Sequence, residues 1–231
     1  MSKEFRHALI MAAGRGIRMG PLTNVVPKPM VPLGQSTLIL EGIRRVRRTI
    51  PFLHITVGYK ARMLAEHVIE EGISSIFQTE GKGNAWWIFN TLLSRLDEPV
   101  VVLTCDNLVQ LDMKKLYLDY RDFGEPPCMV VPVKPVPGLE GDYIFHENQM
   151  VMALDRDQPA SIYCSGIQVV HPRKIADAAA PTDTFDALWK ELIGKRQLYC
   201  SRVIPERWFT IDTIDALTKA EALQNDPSWS N

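Results

Sequence analysis

No stretch of the chain approaches the ~20 consecutive apolar residues of a membrane-spanning helix. The opening segment, MSKEFRHALIMAAGRG, has an apolar run too short for a secretory core followed by a cleavage site. A membrane partner is therefore not expected, and a cytoplasmic location with reduced thiols is. Charge of one sign is also lacking: 26 Lys and Arg face 27 Asp and Glu, for a net charge of −1. Without a basic field, nucleic acid is not an expected partner either. The only basic run, Arg44, Arg45, Arg47 and Arg48, reads as the solvent face of a helix. Cysteine is scarce, with Cys105, Cys128, Cys164 and Cys200 far apart and no C-x-x-C pair. That spacing indicates neither a zinc site nor a redox pair. Cys128 and Cys164 sit in apolar runs and read as core packing. Internal repeats, low-complexity tracts and linkers are absent.

What the chain does have is 231 residues that are 46% hydrophobic, enough for one large domain spanning 1–231 with a substantial core. Short apolar runs at 7–13, 54–57, 74–77 and 99–104 read as strands, and 37–49, 61–71 and 84–96 show helical spacing. Strand and helix alternating through short links imply an α/β fold, a mostly parallel central sheet with helices on both faces. After about residue 125 the pattern changes to strands at 128–133, 141–145, 150–154 and 162–170, then helices at 184–195 and 214–224. This second half, 126–231, reads as a mixed β extension of the sheet formed by 1–125.

Directly after the first strand comes Ala12-Ala13-Gly14-Arg15-Gly16-Ile17-Arg18-Met19-Gly20-Pro21-Leu22-Thr23. Glycines here let the backbone approach an anion with successive N–H groups pointing at it. The dinucleotide fingerprint needs glycine where Met19 stands, and the P-loop's G-K-[ST] is absent. What remains is a glycine turn carrying an arginine, an extended P-L-T stretch, and Pro27-Lys28-Pro29, in which two prolines hold a cation in place.

The run ALIMAAGRGIRMGPLTNVVPKPMVPL resembles the sugar-phosphate nucleotidyltransferase family, in which A-A-G-x-G-x-R-[LM]-x-P-L-T is followed by P-K-P; the resemblance spans Ala8 to Leu33. It implies a glycosyltransferase-A-like Rossmann fold and magnesium-dependent transfer of a nucleotidyl group from a nucleoside triphosphate to a small phosphorylated acceptor. It also implies that Arg18 contacts the triphosphate, that Lys28 bridges the phosphates of nucleotide and acceptor, and that Ala12, Ala13, Gly14 and Gly16 line the nucleotide. On this view 1–125 is the nucleotide-binding half and 126–231 the acceptor-binding half. The protein would be a monomer or homodimer, and the hexapeptide-repeat domain of larger relatives is not expected.

Further positions carry the resemblance. Asp106 ends the strand PVVVLT, at the sheet edge where ligands bind in open α/β folds. By itself it reads equally as a cap; by resemblance it is catalytic and holds magnesium. Asp212 in Trp208-Phe209-Thr210-Ile211-Asp212 reads as a helix N-cap, and by resemblance it completes the metal site. Some relatives carry an acidic residue where Thr210 stands. In the loop Phe77 to Ala85, Gln78 can read a base edge and Gly83 permits close backbone approach. Asp142 and Tyr143 in G-D-Y, and Gly166 in S-G-I-x-V-x-H-P, resemble the acceptor side, with His171 reading as structural. Trp86 and Trp87 read as core or, for Trp86, as an aromatic wall for a sugar or quaternary ammonium. The tail FTIDTIDALTKAEAL resembles phosphocholine cytidylyltransferases of the family, whereas GDY and SGIQVVHP resemble its N-acetylmuramate-1-phosphate uridylyltransferases. The acceptor expectation is therefore a sugar 1-phosphate, with phosphocholine as the alternative and a non-catalytic sensor as a reading of another class.

Overall fold

A computed structural model describes residues 4–139 and 141–224. In chain order the elements are β1 His7–Ala12, α1 Pro21–Val25, β2 Pro32–Leu33, β3 Ser36–Thr37, α2 Leu38–Arg47, β4 Phe52–Val57, α3 Ala61–Val68, β5 Ser75–Gln78, α4 Trp86–Asn90 and β6 Val100–Thr104. They continue with β7 Asn107–Gln110, α5 Met113–Asp122, β8 Cys128–Val133, β9 Tyr143–Glu147, β10 Met150–Asp155, β11 Tyr163–Val170, α6 Pro172–Ala178, α7 Phe185–Gly194, β12 Leu198–Cys200, β13 Arg207–Thr210 and α8 Ile214–Gln224. Among the described residues no helix is long and apolar enough to cross a membrane.

The chain forms two compact units, each built from several separate segments. One holds Ala8–Gly81, Leu103–Gln110 and residues 206–224; the other holds residues 4–7, Lys82–Val102 and Leu111–Pro205. In the first of these, the strands run β5-β4-β1, with β4 and β5 parallel from His54↔Ser75 to Val57↔Gln78. Helix α2 starts where Thr37 Oγ1 accepts from Leu40 N, and it buries Leu38, Ile39, Ile43 and Val46. Glu41 in its first turn and Arg44, Arg45 and Arg47 in its last match the helix dipole. The basic run is thus structural: Arg44 donates to Glu41, Arg45 to the Val109 carbonyl and Arg47 to the Glu71 carbonyl.

The other unit carries the order β6-β11-β8-β12-β10-β9. There β11 is antiparallel to both β6 and β8, while β12 and β8 are parallel. The apolar strand β6 is buried from Val100 to Leu103. Gly166, at φ 81°, lies where the β11–β8 register shifts between Cys164 and Gln168, a bulge that needs the left-handed conformation.

Two sequence expectations fail for local reasons, and a third, the core packing of Cys164, holds in part. The Pro21-Leu22-Thr23 stretch is helical rather than extended, with Pro21 at the first helical position where a missing N–H costs nothing. The expected 84–96 helix is broken at Thr91 (φ −122°, ψ 176°). The Thr91 hydroxyl donates to the Trp87 carbonyl at 2.8 Å and accepts from Leu93 N at 3.2 Å, so the side chain competes with the helical backbone. Cys164 is only partly buried at residue level, unlike Cys128.

Candidate functional site

Strand β7 pairs antiparallel with β13, with Thr210 opposite Asn107. The residues just before β7 and just after β13 therefore lie side by side, and Ile211 N donates to the Asp106 carbonyl at 2.9 Å. Leu108 and Ile211 are buried with Met19, Val31 and Leu33 in one apolar cluster. Asp106, Asp212, Arg18 and Lys28 meet beside this junction. Asp212 does not cap α8; Thr213 does, its Oγ1 accepting from Ala216 N at 3.1 Å.

Lys28 Nζ lies 2.6 Å from Asp106 Oδ2 and 2.5 Å from Asp212 Oδ1. Arg18 reaches Asp212 Oδ2 from the other side at 3.1 Å. The Lys28 side chain is 8% exposed and Arg18 68%, so one cation is enclosed and the other lies at the surface. Burial by itself would lower the Lys28 pKa, but the Asp106 and Asp212 carboxylates outweigh it and hold it above the usual lysine value. Burial likewise pushes Asp212 upward, yet Lys28 and Arg18 hold its carboxyl below the usual range. A raised lysine stabilises the fold below its unfolded pKa of ~10.4, and that contribution fades as pH rises through the higher folded value; a depressed aspartate stabilises above ~3.9 and its contribution fades as pH falls through the lower folded value. The melting temperature should therefore plateau over the neutral range and fall at both extremes. In Asp212→Asn the acid limb should flatten, and superimposable acid limbs would remove this account.

The glycine turn holds Lys28 from above. Gly16 has φ 69° and ψ 46°. A Cβ added there would come within 2.6 to 2.9 Å of Lys28 Cβ, Cδ and Cγ. The turn is closed by Thr23, a buried residue whose hydroxyl lies 3.1 Å from both the Gly16 and Gly20 carbonyls and donates to that pair. Gly58 is required too: a Cβ there would sit 2.6 Å from the Ala13 carbonyl, which accepts from Tyr59 N. Ala12 is tied down by its N–H donating to Thr56 Oγ1 at 3.2 Å. Around these groups lies a cavity of about 400 Å³, lined by Gly14, Gly16, Arg18, Lys28, Asp106 and Asp212. Arg15, Thr104 and Cys105 line it as well and were not singled out from the sequence. Burial beside Asp106 pushes the Cys105 thiol far up, so it stays protonated.

Among the described residues no cluster of three or more His, Cys, Asp and Glu is placed to hold a metal. Asp106 and Asp212 nonetheless offer hard carboxylate oxygens that converge on one cation, as a divalent ion with oxygen ligands requires. Substrate oxygens and water would supply the rest of the shell. Thr210 Oγ1 donates to Asp212 Oδ2 at 3.4 Å and so orients that carboxylate.

Residues 7–138 match the family model described as Nucleotidyl transferase. The chain belongs to this family. It is 25% identical over 209 residues to the mannose-1-phosphate guanylyltransferase catalytic subunit beta of Drosophila melanogaster, covering 83% of this chain and 56% of that one. The chain thus spans about half the length of the curated relatives it matches. A UDP-glucose pyrophosphorylase solved with UDP-glucose superposes with a TM-score of 0.75 at 15% identity, covering 95% of this chain and 98% of the other. The CTP:phosphocholine cytidylyltransferase of Streptococcus pneumoniae gives a TM-score of 0.73 at 20% identity, covering 96% and 100%. The nucleotidyl transferase chain has the glycosyltransferase-A-like α/β fold of these structures.

The remaining positions expected from the nucleotidyltransferase resemblance fall elsewhere. Gln78, exposed at the end of β5, turns its Oε1 back to accept from Glu80 N at 3.0 Å. Gly83, Trp86, Asp142, Tyr143 and Gly166 belong to the other unit. Gly83 has a packing reason of its own, because a Cβ there would lie 2.1 Å from the Asp183 carbonyl. Asp142 accepts from Arg156 Nε at 2.7 Å, and Tyr143 packs against Tyr163 with ring centroids 6.0 Å apart. Trp87 is buried in the core, whereas Trp86 is half-buried and carries Lys82 Nζ 5.6 Å from its ring centre. His171 Nδ1 accepts from Lys174 N at 3.4 Å and caps α6.

Proposed function

We propose that the chain joins the NMP group of a nucleoside triphosphate to a sugar 1-phosphate, releasing pyrophosphate, with magnesium held by Asp106 and Asp212. The observation that carries this reading is the meeting of Lys28, Arg18, Asp106 and Asp212 on one cavity beside the glycine turn. An acceptor phosphate oxygen attacks the α-phosphorus, and the bond to the pyrophosphate oxygen breaks. Both reactants are anions, which at ~4 Å repel by about 1 kcal/mol per unit-charge pair in water and about 4 in a partly buried site. Lys28, held by its stem, offsets charge where the two phosphates meet. Arg18, mostly exposed at the cavity wall, contacts the triphosphate. By the family resemblance, Ala12, Ala13, Gly14, Gly16, Gln78 and Gly83 are the candidate nucleotide contacts, and Trp86, Asp142, Tyr143 and Gly166 the candidate acceptor contacts. Magnesium, when bound, neutralises phosphate charge and polarises the phosphoryl group. The guanylyl transfer named for the fly relative supports a sugar 1-phosphate as acceptor.

A second reading, transfer to a phospho-alcohol such as phosphocholine, is favoured by the Lys82 ammonium on the face of Trp86, a ring face that takes a cation. A pyrophosphate-release assay pairing each of four nucleoside triphosphates with sugar 1-phosphates and with phosphocholine separates the readings. Release with one nucleotide and a sugar 1-phosphate, abolished by a chelator, is expected. Release with phosphocholine alone would favour the second reading. Silence across the panel, with nucleotide still bound, would leave a sensor.

A further inference from the structure

The two carboxylates proposed to hold the divalent ion are already bridged by a cation of the chain. Lys28 Nζ touches Asp106 Oδ2 at 2.6 Å and Asp212 Oδ1 at 2.5 Å. Its position is built in. Lys28 opens the short 3-10 turn Lys28–Met30, with Pro27 before it and Pro29 within it, and a Cβ added at Gly16 would come within 2.6 to 2.9 Å of its methylene stem. A divalent ion bound at those same oxygens would meet the ammonium's positive charge at contact distance, so an entering metal works against Lys28. The cavity's charge balance opposes a bare metal. Arg15, Arg18 and Lys28 face Asp106 and Asp212 there, so a free divalent ion would add to an excess of positive charge. A metal–triphosphate complex brings net negative charge instead and gives Lys28 new oxygens to bind.

We propose that Lys28 is a resident occupant of the cation site that excludes free divalent ions until a triphosphate arrives, so that the metal enters together with its nucleotide. This rests on the reading of Asp106 and Asp212 as the metal pair. Manganese is the probe: its binding to the full chain without nucleotide is followed by the electron paramagnetic resonance of the free ion. The wild type should bind it weakly. Lys28→Met should bind it about tenfold more tightly or better, since a unit positive charge beside the ion has been removed. Adding Asp106→Asn to Lys28→Met should abolish the gain. Lys28→Gln, which can still donate to one carboxylate, guards against misfolding of the methionine variant and should shift affinity in the same direction; circular dichroism checks both. In these variants manganese should also raise the melting temperature more than it does in the wild type. Affinities within about twofold of wild type in folded variants would overturn the proposal. Pyrophosphate release by the wild type would stand apart from that result, so the failure of this inference and the failure of the proposed function are distinguishable.

Discussion

Replacing Asp106 by Asn should lower the rate of pyrophosphate release about 10²- to 10³-fold, the usual loss when one preorganised charge-stabilising group is removed. The substitution is nearly isosteric but removes a negative charge and places an amide where an anionic oxygen faced Lys28 at 2.6 Å. Stability should change little, by about 1 kcal/mol or less. Three features protect the fold. Asp106 bonds to the β7–β13 junction through its backbone carbonyl, which accepts from Ile211 N and is untouched by the change. Lys28 keeps its contact with Asp212 at 2.5 Å. Removing one of two facing carboxylates also relieves their mutual repulsion. Steady-state rates and a melting curve check both halves. A rate within about threefold of wild type would take Asp106 out of the reaction. A chain that no longer folds would make the residue a support for Lys28 instead.

Much of this site was legible in the sequence because its parts are local. Strand β1, the glycine turn and Pro27-Lys28-Pro29 lie within one short segment, and Asp106 stands at the end of an apolar strand buried from Val100 to Leu103. Their convergence was legible only through the family resemblance, not from the residues themselves. It depends on β7 and β13, four-residue strands NLVQ and RWFT whose pairing is long-range and whose patterns are too short to mark a period. The helices α5 and α6 were also missed, α5 because its apolar spacing is diluted by charge and α6 because Pro172 reads as a break. Pro21 misled in the same way, since a proline marks a helix start as readily as a chain break. The glycines are the instructive case. Gly83 suggested ligand approach, and the Asp183 backbone is one close approach that requires it, while Gly58 drew no notice although Ala13 requires it. A glycine states that something approaches closely; only the fold says whether that is substrate or the chain itself. Arg15 and Thr104 escaped because nothing in their spacing separates a cavity wall from an ordinary loop or strand end.

Gly16→Val should damage fold and activity together, and it isolates the feature on which Lys28's placement depends. The backbone at Gly16 is left-handed, which costs a residue with a Cβ roughly 1–2 kcal/mol and a β-branched one more. The new Cβ would also lie 2.6 Å from Lys28 Cβ, an atom fixed to the main chain that cannot swing aside as Cδ can. Either the turn opens, breaking the Thr23 contacts at 3.1 Å, or the Lys28 stem shifts. A total loss of about 2–4 kcal/mol is expected, in the range of overpacking combined with backbone strain. A displacement of Lys28 by about 1 Å should lower turnover a further 10²-fold in the molecules that remain folded. Gly14→Ala is the control. Gly14 has no positive φ and no atom within 4 Å of an added Cβ, so its melting temperature should match wild type. Any loss of turnover there would report a ligand passing close to the backbone rather than a disturbed fold. A Gly16→Val protein with unchanged melting temperature and turnover would mean that the glycine turn does not hold Lys28, and the clamp would need another support.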